Sequence, residues 1–175
     1  MRENVLLFGR DSSFTLTLTE RIGSKKCIVH FAQSGPEALA IIQRNDIDVV
    51  VININDLGAE GVQILDSIKQ TQPPTEFITL TSLSTIHWSI EGMKRGAFAD
   101  LLIPFDMEDL IVKIREAGAR AKAKRLRRKK SLRRRLEDLM VSATFAESGN
   151  LDAARQIIKE GQERTANLEK EQNDE

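Results

Sequence analysis

Five short apolar runs recur along the first two thirds of the chain, each followed by a longer stretch of mixed polarity, at a spacing of about 20 to 25 residues. They cover residues 5–8, 27–32, 49–54, 77–81 and 101–103. Several are apolar at consecutive rather than alternate positions, as strands are when helices cover both faces of a parallel sheet. The pattern predicts an α/β fold built from βα units.

The intervening segments read as helices with physical stops. Residues 13–22 end at Gly23, 36–44 open with Pro36, 61–70 end at Pro73 and Pro74, and 86–95 end at Gly96. Ala38, Leu39, Ile41 and Ile42 form an apolar stripe on the second helix; Val62, Leu65 and Ile68, with Lys69, form one on the third. The first helix carries a conflict. Thr15, Leu16, Thr17, Leu18 and Thr19 alternate with a strand period, and only their place between a strand and Gly23 argues for helix. A fifth helix opens at Asp106 as N-cap. Glu108 and Asp109 stand at its positive end, and Leu110, Ile111 and Ile114 form its buried face.

An open parallel sheet gathers ligands beyond the carboxyl ends of its strands. That places Gly9, Arg10, Asp11, Asn53, Asn55, Thr81 and Ile103 at the candidate site.

Residues 5–11, 48–61, 78–82 and 96–106 resemble, in order and spacing, the four signature blocks of response-regulator receiver domains, with Gly96-Ala97 to Pro104-Phe105 as the closing motif. The resemblance covers about residues 3–118. It implies a flavodoxin-like (βα)5 doubly wound sheet with strand order 2-1-3-4-5. It also implies phosphoryl transfer to an aspartate at the end of the third strand, with magnesium neutralising the phosphoryl oxygens, a lysine pairing with them and a Thr or Ser hydroxyl sensing them. Such chemistry is mostly positioning and charge compensation.

Carried over residue by residue, the resemblance implies a degenerate site. The acceptor aspartate corresponds to Asn53, and the acidic pair after the first strand to Gly9 and Arg10. The phosphate-pairing lysine corresponds to Ile103 and the aromatic switch residue to Asp100; Thr81 and Asn55 remain. Magnesium needs carboxylates, so neither a metal site nor a cofactor is expected. Asp11 and Asp56 are the acids available as substitutes, although both also read as turn or helix-entry residues. For Arg10 two readings stand: a fixed charge in the old acidic pocket that bonds Asn53 or a nearby carbonyl, or a side chain in solvent. His30 and His87 lack neighbours at metal spacing. Cys27 reads as a packed thiol, and Trp88 as a contact residue or a half-buried one.

The fifth helix continues to about residue 147, interrupted by Gly118 as a candidate bend. At 1.5 Å per residue some 40 residues reach about 60 Å. Leu126, Leu132, Leu136, Leu139, Met140 and Ala143 form a stripe that needs a partner: a second chain, or the final helix, which begins at Leu151, folding back. Residues 169–175 read as disordered.

Charge is partitioned along the chain. Residues 1–119 carry a net −5, 120–136 carry +11 and 137–175 carry −6. The basic block is Arg120, Lys122, Lys124, Arg125, Arg127, Arg128, Lys129, Lys130, Arg133, Arg134 and Arg135. Such density suits an acidic protein partner, the acidic tail, or nucleic acid or an anionic surface. It has no aromatic residue for base stacking.

These features divide the chain into a receiver-like domain (1–118), a basic helical extension (119–148) and an acidic second helix with tail (149–175). No apolar run approaches the roughly 20 residues of a membrane span, and no signal peptide is visible, so a cytoplasmic location is expected. No matched nucleophile and base is visible, which argues against an enzyme. The expectation is a non-catalytic signalling module that docks on a protein partner, as a homodimer, with a nucleic-acid-associated regulator as the alternative.

Overall fold

The computed structural model describes residues 2–10, 12–25, 27–71, 74–147, 151–153, 155–161 and 163, the side chain of Ala146 excepted. Five parallel strands, β1 (Asn4–Phe8), β2 (Ile28–Ala32), β3 (Val49–Asn53), β4 (Glu76–Thr81) and β5 (Ala99–Leu102), form one sheet in the order β2-β1-β3-β4-β5. Between them lie α1 (Ser13–Ser24), α2 (Gly35–Arg44), the single turn α3 (Ile54–Leu57), α4 (Ala59–Gln70) and α5 (Ile86–Lys94). The last long element is α6 (Met107–Glu147), one helix of 41 residues.

Consecutive apolar residues serve two cores, because successive side chains leave opposite faces of a strand. Leu6, Phe8, Val50, Ile52 and Phe77 pack with Ala38, Val62, Leu65 and Ile68 of α2 and α4 on one face. Val5, Leu7, Val49, Val51, Ile78 and Leu80 pack on the other with Leu18 and Ile22 of α1 and Leu110, Ile111, Ile114 and Ala117 of α6. The helical reading of the threonine-rich segment holds. Ser12 caps α1 by accepting from the Thr15 amide, and the hydroxyls of Thr17 and Thr19 donate to the carbonyls four residues back. Position overrode β propensity there.

Two details differ from expectation. Gly23 does not stop α1, which ends at Ser24 with Lys25 as C-cap. Gly118 lies within α6 and has a packing reason: a Cβ there would stand 2.8 Å from Glu3 Cγ, so the first residues of the chain approach the helix where no side chain intervenes. Asp106 does open α6, its Oδ1 accepting from the Glu108 amide at 3.1 Å. Cys27 is a half-buried free thiol packed beside the second core. Its pKa is raised, first by burial and then by the nearby Glu3 carboxylate.

The chain divides into two compact units, Met1–Lys124 and Arg125–Glu175. In the second, residues 151–153 and 155–161 are helical. A Cβ on Gly161 would lie 3.0 Å from Asp138 Oδ2, so this helix folds back against α6. Ser142 on α6 is buried. The expected tail at 169–175 lies outside the described residues.

Candidate functional site

The carboxyl ends of β1, β3 and β4 bring Gly9, Asn53 and Thr81 to one edge of the sheet. Gly9 is required by closeness: a Cβ there would meet Asn53 Cβ at 3.2 Å and Thr15 Oγ1 at 3.4 Å. Asn53, fully buried, ends β3 and donates its Nδ2 hydrogen to Asp56 Oδ2 at 2.6 Å. This bond fixes the amide orientation, since a carboxylate accepts only from the NH2 end. It leaves Asn53 Oδ1 buried without a hydrogen-bond partner among the described residues.

Asp56 stands in α3, whose single turn closes at Gly58, with the Gly58 amide donating to the Ile54 carbonyl. Gly58 has φ +54°, the left-handed region open to glycine, and this turns the chain from α3 into α4. The guanidinium of Arg10 is exposed, and its Nε donates to the Asp56 carbonyl at 3.1 Å. Arg10 thus combines parts of its two readings, a side chain in solvent that also bonds a nearby carbonyl. Gly9, Arg10, Asn53 and Asp56 thus form one connected group. Asn55 is exposed on α3, and Asp11 lies outside the described residues.

Thr81 is engaged elsewhere. Its buried hydroxyl donates to Asp100 Oδ2 at 2.8 Å, and that of Thr79 donates to Asp100 Oδ1 at 2.5 Å. The register pairs Thr79 directly with Asp100 across β4 and β5. The carboxylate therefore ties both threonines of one strand face to the neighbouring strand. Thr79 is a site residue that the sequence reading passed over, although the spacing of Thr79 and Thr81 by two on one strand was the available signal.

Ile103 donates its amide to the Thr81 carbonyl at 2.6 Å and is joined to Pro104 by a cis peptide bond. Its side chain packs at the edge of the second core and lines a small groove with Phe14, Leu18, Arg21 and Phe105.

The described residues do not fit a divalent cation at this edge. Gly9 offers no side chain, Asn53 directs an amide hydrogen at Asp56, and Arg10 places a positive charge beside it. No group of three His, Cys, Asp or Glu side chains among the described residues is placed to hold a metal, His30 and His87 included. Trp88 is partly buried against the first core.

The basic block is not uniform. Lys122 pairs with Glu3 at 3.2 Å and Asp48 at 3.7 Å, and donates to the Arg2 carbonyl. Lys124 stands 2.6 Å and Arg120 3.4 Å from Glu76 Oε1, and Arg120 also lies over the Phe98 ring. Asp48 and Glu76 are buried. These three cations thus neutralise acids at the amino ends of β1, β3 and β4, a role the sequence reading missed. Arg127, Lys129, Lys130, Arg133, Arg134 and Arg135 lie on exposed positions of α6, as does Arg128, while Arg125 is half-buried. Arg133 pairs with Glu137 at 2.9 Å.

Among the described residues no helix is long and apolar enough to cross a membrane. Residues 5–115 match the family model described as the response regulator receiver domain. Transcriptional regulatory protein GlrR of Escherichia coli (strain K12) is 28% identical over 114 residues, covering 65% of this chain and 26% of that protein. DNA-binding transcriptional regulator NtrC of Salmonella typhimurium is 27% identical over 107 residues, covering 61% and 23%. The chain spans about a quarter of the length of these curated relatives. A solved response regulator receiver domain protein from Clostridium thermocellum superposes with a TM-score of 0.63 at 29% identity, covering 69% of this chain and 98% of that one. Over residues 5–115 the chain therefore belongs to the response regulator receiver domain family of two-component signalling.

Proposed function

We propose that this chain is a pseudo-receiver: a non-enzymatic module of a cytoplasmic phosphorelay that accepts no phosphoryl group, needs no cofactor and acts by protein contact, self-associating through α6. The observation that carries this reading is the Asn53–Asp56–Arg10 group. An amide stands at the acceptor position and is a poor nucleophile. Its hydrogen occupies the nearest described carboxylate at 2.6 Å, and a guanidinium bonds the same residue's carbonyl. Phosphoryl transfer without a charge-compensating metal lacks its main source of stabilisation. In the same reading Asp56 does not substitute for the lost acids, because its carboxylate is already engaged, and Gly9 and Ile103 are vacated positions of the old apparatus.

The Thr79–Asp100–Thr81 tie supports a second element of the proposal, a receiver held in one conformation. With both threonine hydroxyls bound to β5, Thr81 has no free hydroxyl to follow a phosphoryl oxygen. Amide spectra recorded through titration with magnesium and then beryllofluoride test the proposal. It expects the Asn53 and Thr81 signals to stay in place; saturable shifts at both overturn it.

A second reading rests on the exposed part of the basic helix and on relatives whose names denote transcriptional regulators. In it, the basic helix 120–135 holds nucleic acid by phosphate contacts from its exposed residues. Binding to unrelated duplexes whose log affinity falls linearly with log salt favours that reading; lack of binding at low salt removes it.

A further inference from the structure

The leucine stripe of α6 remains uncovered although the final helix has folded back. Leu132, Leu136 and Leu139 are 55–59% exposed, and Ala143 is exposed with them. At 100° per residue these four lie within a band of about 60°, whereas Asp138 and Ser142 point roughly 100° to one side. The returning helix meets Asp138 and leaves the stripe open. Spacings of four, three and four are those of alternating d and a positions, the seam of a coiled coil.

The charge sequence selects the occupant. Net charge reverses between residues 136 and 137, in the middle of the stripe. Of the eleven cations, Arg120, Lys122 and Lys124 pair with acids of the first unit, and the other eight follow from Arg125 to Arg135 on the basic side of that reversal. Continuing the seam backward in heptads places Lys129 and Arg125 on it. A second copy aligned in parallel stacks Lys129 on Lys129 and Arg125 on Arg125. An antiparallel copy sets Lys129 opposite Ala146 and lays each basic half beside the half of α6 bearing Glu137, Asp138 and Glu147. A nucleic acid suits only the first half and is repelled by the second.

Resting on self-association through α6 as proposed above, we infer that two copies pair antiparallel along this stripe, with a twofold axis between residues 137 and 138. Leu136 of each then packs on Leu139 of the other, and Leu132 on Ala143. The surface is isologous, as a twofold interface must be.

Cysteine cross-linking of the full chain in a Cys27→Ser background tests the order, beside sedimentation of the unmodified chain. Mixing Leu132→Cys with Ala143→Cys chains under mild oxidation is expected to give the mixed disulfide dimer. Leu132→Cys alone is expected to give none, because its two copies stand about 16 Å apart along the axis. Leu136→Glu, at an exposed position, is expected to weaken self-association at least tenfold while the receiver unit keeps its stability. Efficient self-cross-linking of Leu132→Cys shows a parallel dimer and overturns the antiparallel order while leaving self-association intact. A monomer at 100-fold varied concentration overturns both, as does a dimer indifferent to Leu136→Glu.

Discussion

Replacing Asp100 by alanine removes the acceptor of two buried hydroxyls. Thr79 and Thr81 are fully buried, and their bonds to the Asp100 carboxylate measure 2.5 and 2.8 Å. Leaving a buried donor unsatisfied costs about 1–3 kcal/mol. Thr79 keeps a 3.5 Å contact with the Ala99 carbonyl and falls at the low end; Thr81 loses the acceptor that Asp100 supplied. The sum predicts a loss of about 2–4 kcal/mol, or a fall in Tm on the order of 10 °C for a unit of this size. Trp88 is the chain's single tryptophan and is packed against the core, so its emission during urea denaturation reports on the receiver unit. A double-mutant cycle with Thr81→Val isolates the bond: the second substitution should cost about 1–2 kcal/mol less in the Asp100→Ala background than alone. Asp100→Ala within about 0.5 kcal/mol of the parent, with an additive cycle, refutes the tie.

Lys122→Ala should cost about 1–2 kcal/mol because it leaves the buried Asp48 with less compensating charge, whereas Lys129→Ala at an exposed position should change stability by less than about 0.5 kcal/mol; urea midpoints compare them. Gly118→Ala should fail to yield the roughly 1 kcal/mol that a helical glycine normally returns. Its new Cβ would displace the Glu3 stem and disturb the pair with Lys122, so thermal denaturation should show no gain. Alkylation of Cys27 should be slower in the folded chain than in urea, with its midpoint moved to higher pH, because burial and Glu3 disfavour the thiolate. By the same linkage the folded state loses stability as pH rises past the unfolded thiol's pKa, since the native thiol holds its proton longer; a thiol that reacts equally fast in both states contradicts this.

Strands and their covering helices were legible because residues buried on both faces must be apolar at successive positions. The ends were less so. Gly23 reads as a stop only if helix propensity decides, yet α1 passes through it and closes where Lys25 caps. The places of Asn53, Gly9 and Ile103 at or just beyond the strand ends were legible, but not the bonds made there. The Asn53–Asp56 contact depends on the turn α3, and the Asp100 tie on the pairing of β4 with β5. The basic block concealed its division because the partners Glu3, Asp48 and Glu76 lie far away in sequence. Each sits at the start of a central strand, the end that α6 reaches at residues 120–124, and that was the signal available.

A pseudo-receiver, as proposed for this chain, takes no phosphoryl group at this edge. Intact-mass spectrometry after incubation with magnesium and phosphoramidate tests it most directly, run on the chain and on Asn53→Asp. The account predicts that neither gains the mass of a phosphoryl group, since restoring the acceptor leaves Gly9 and Arg10 where the metal-side carboxylates would stand. A phosphoryl adduct on the unmodified chain that is labile to hydroxylamine, as an acyl phosphate is, would contradict it.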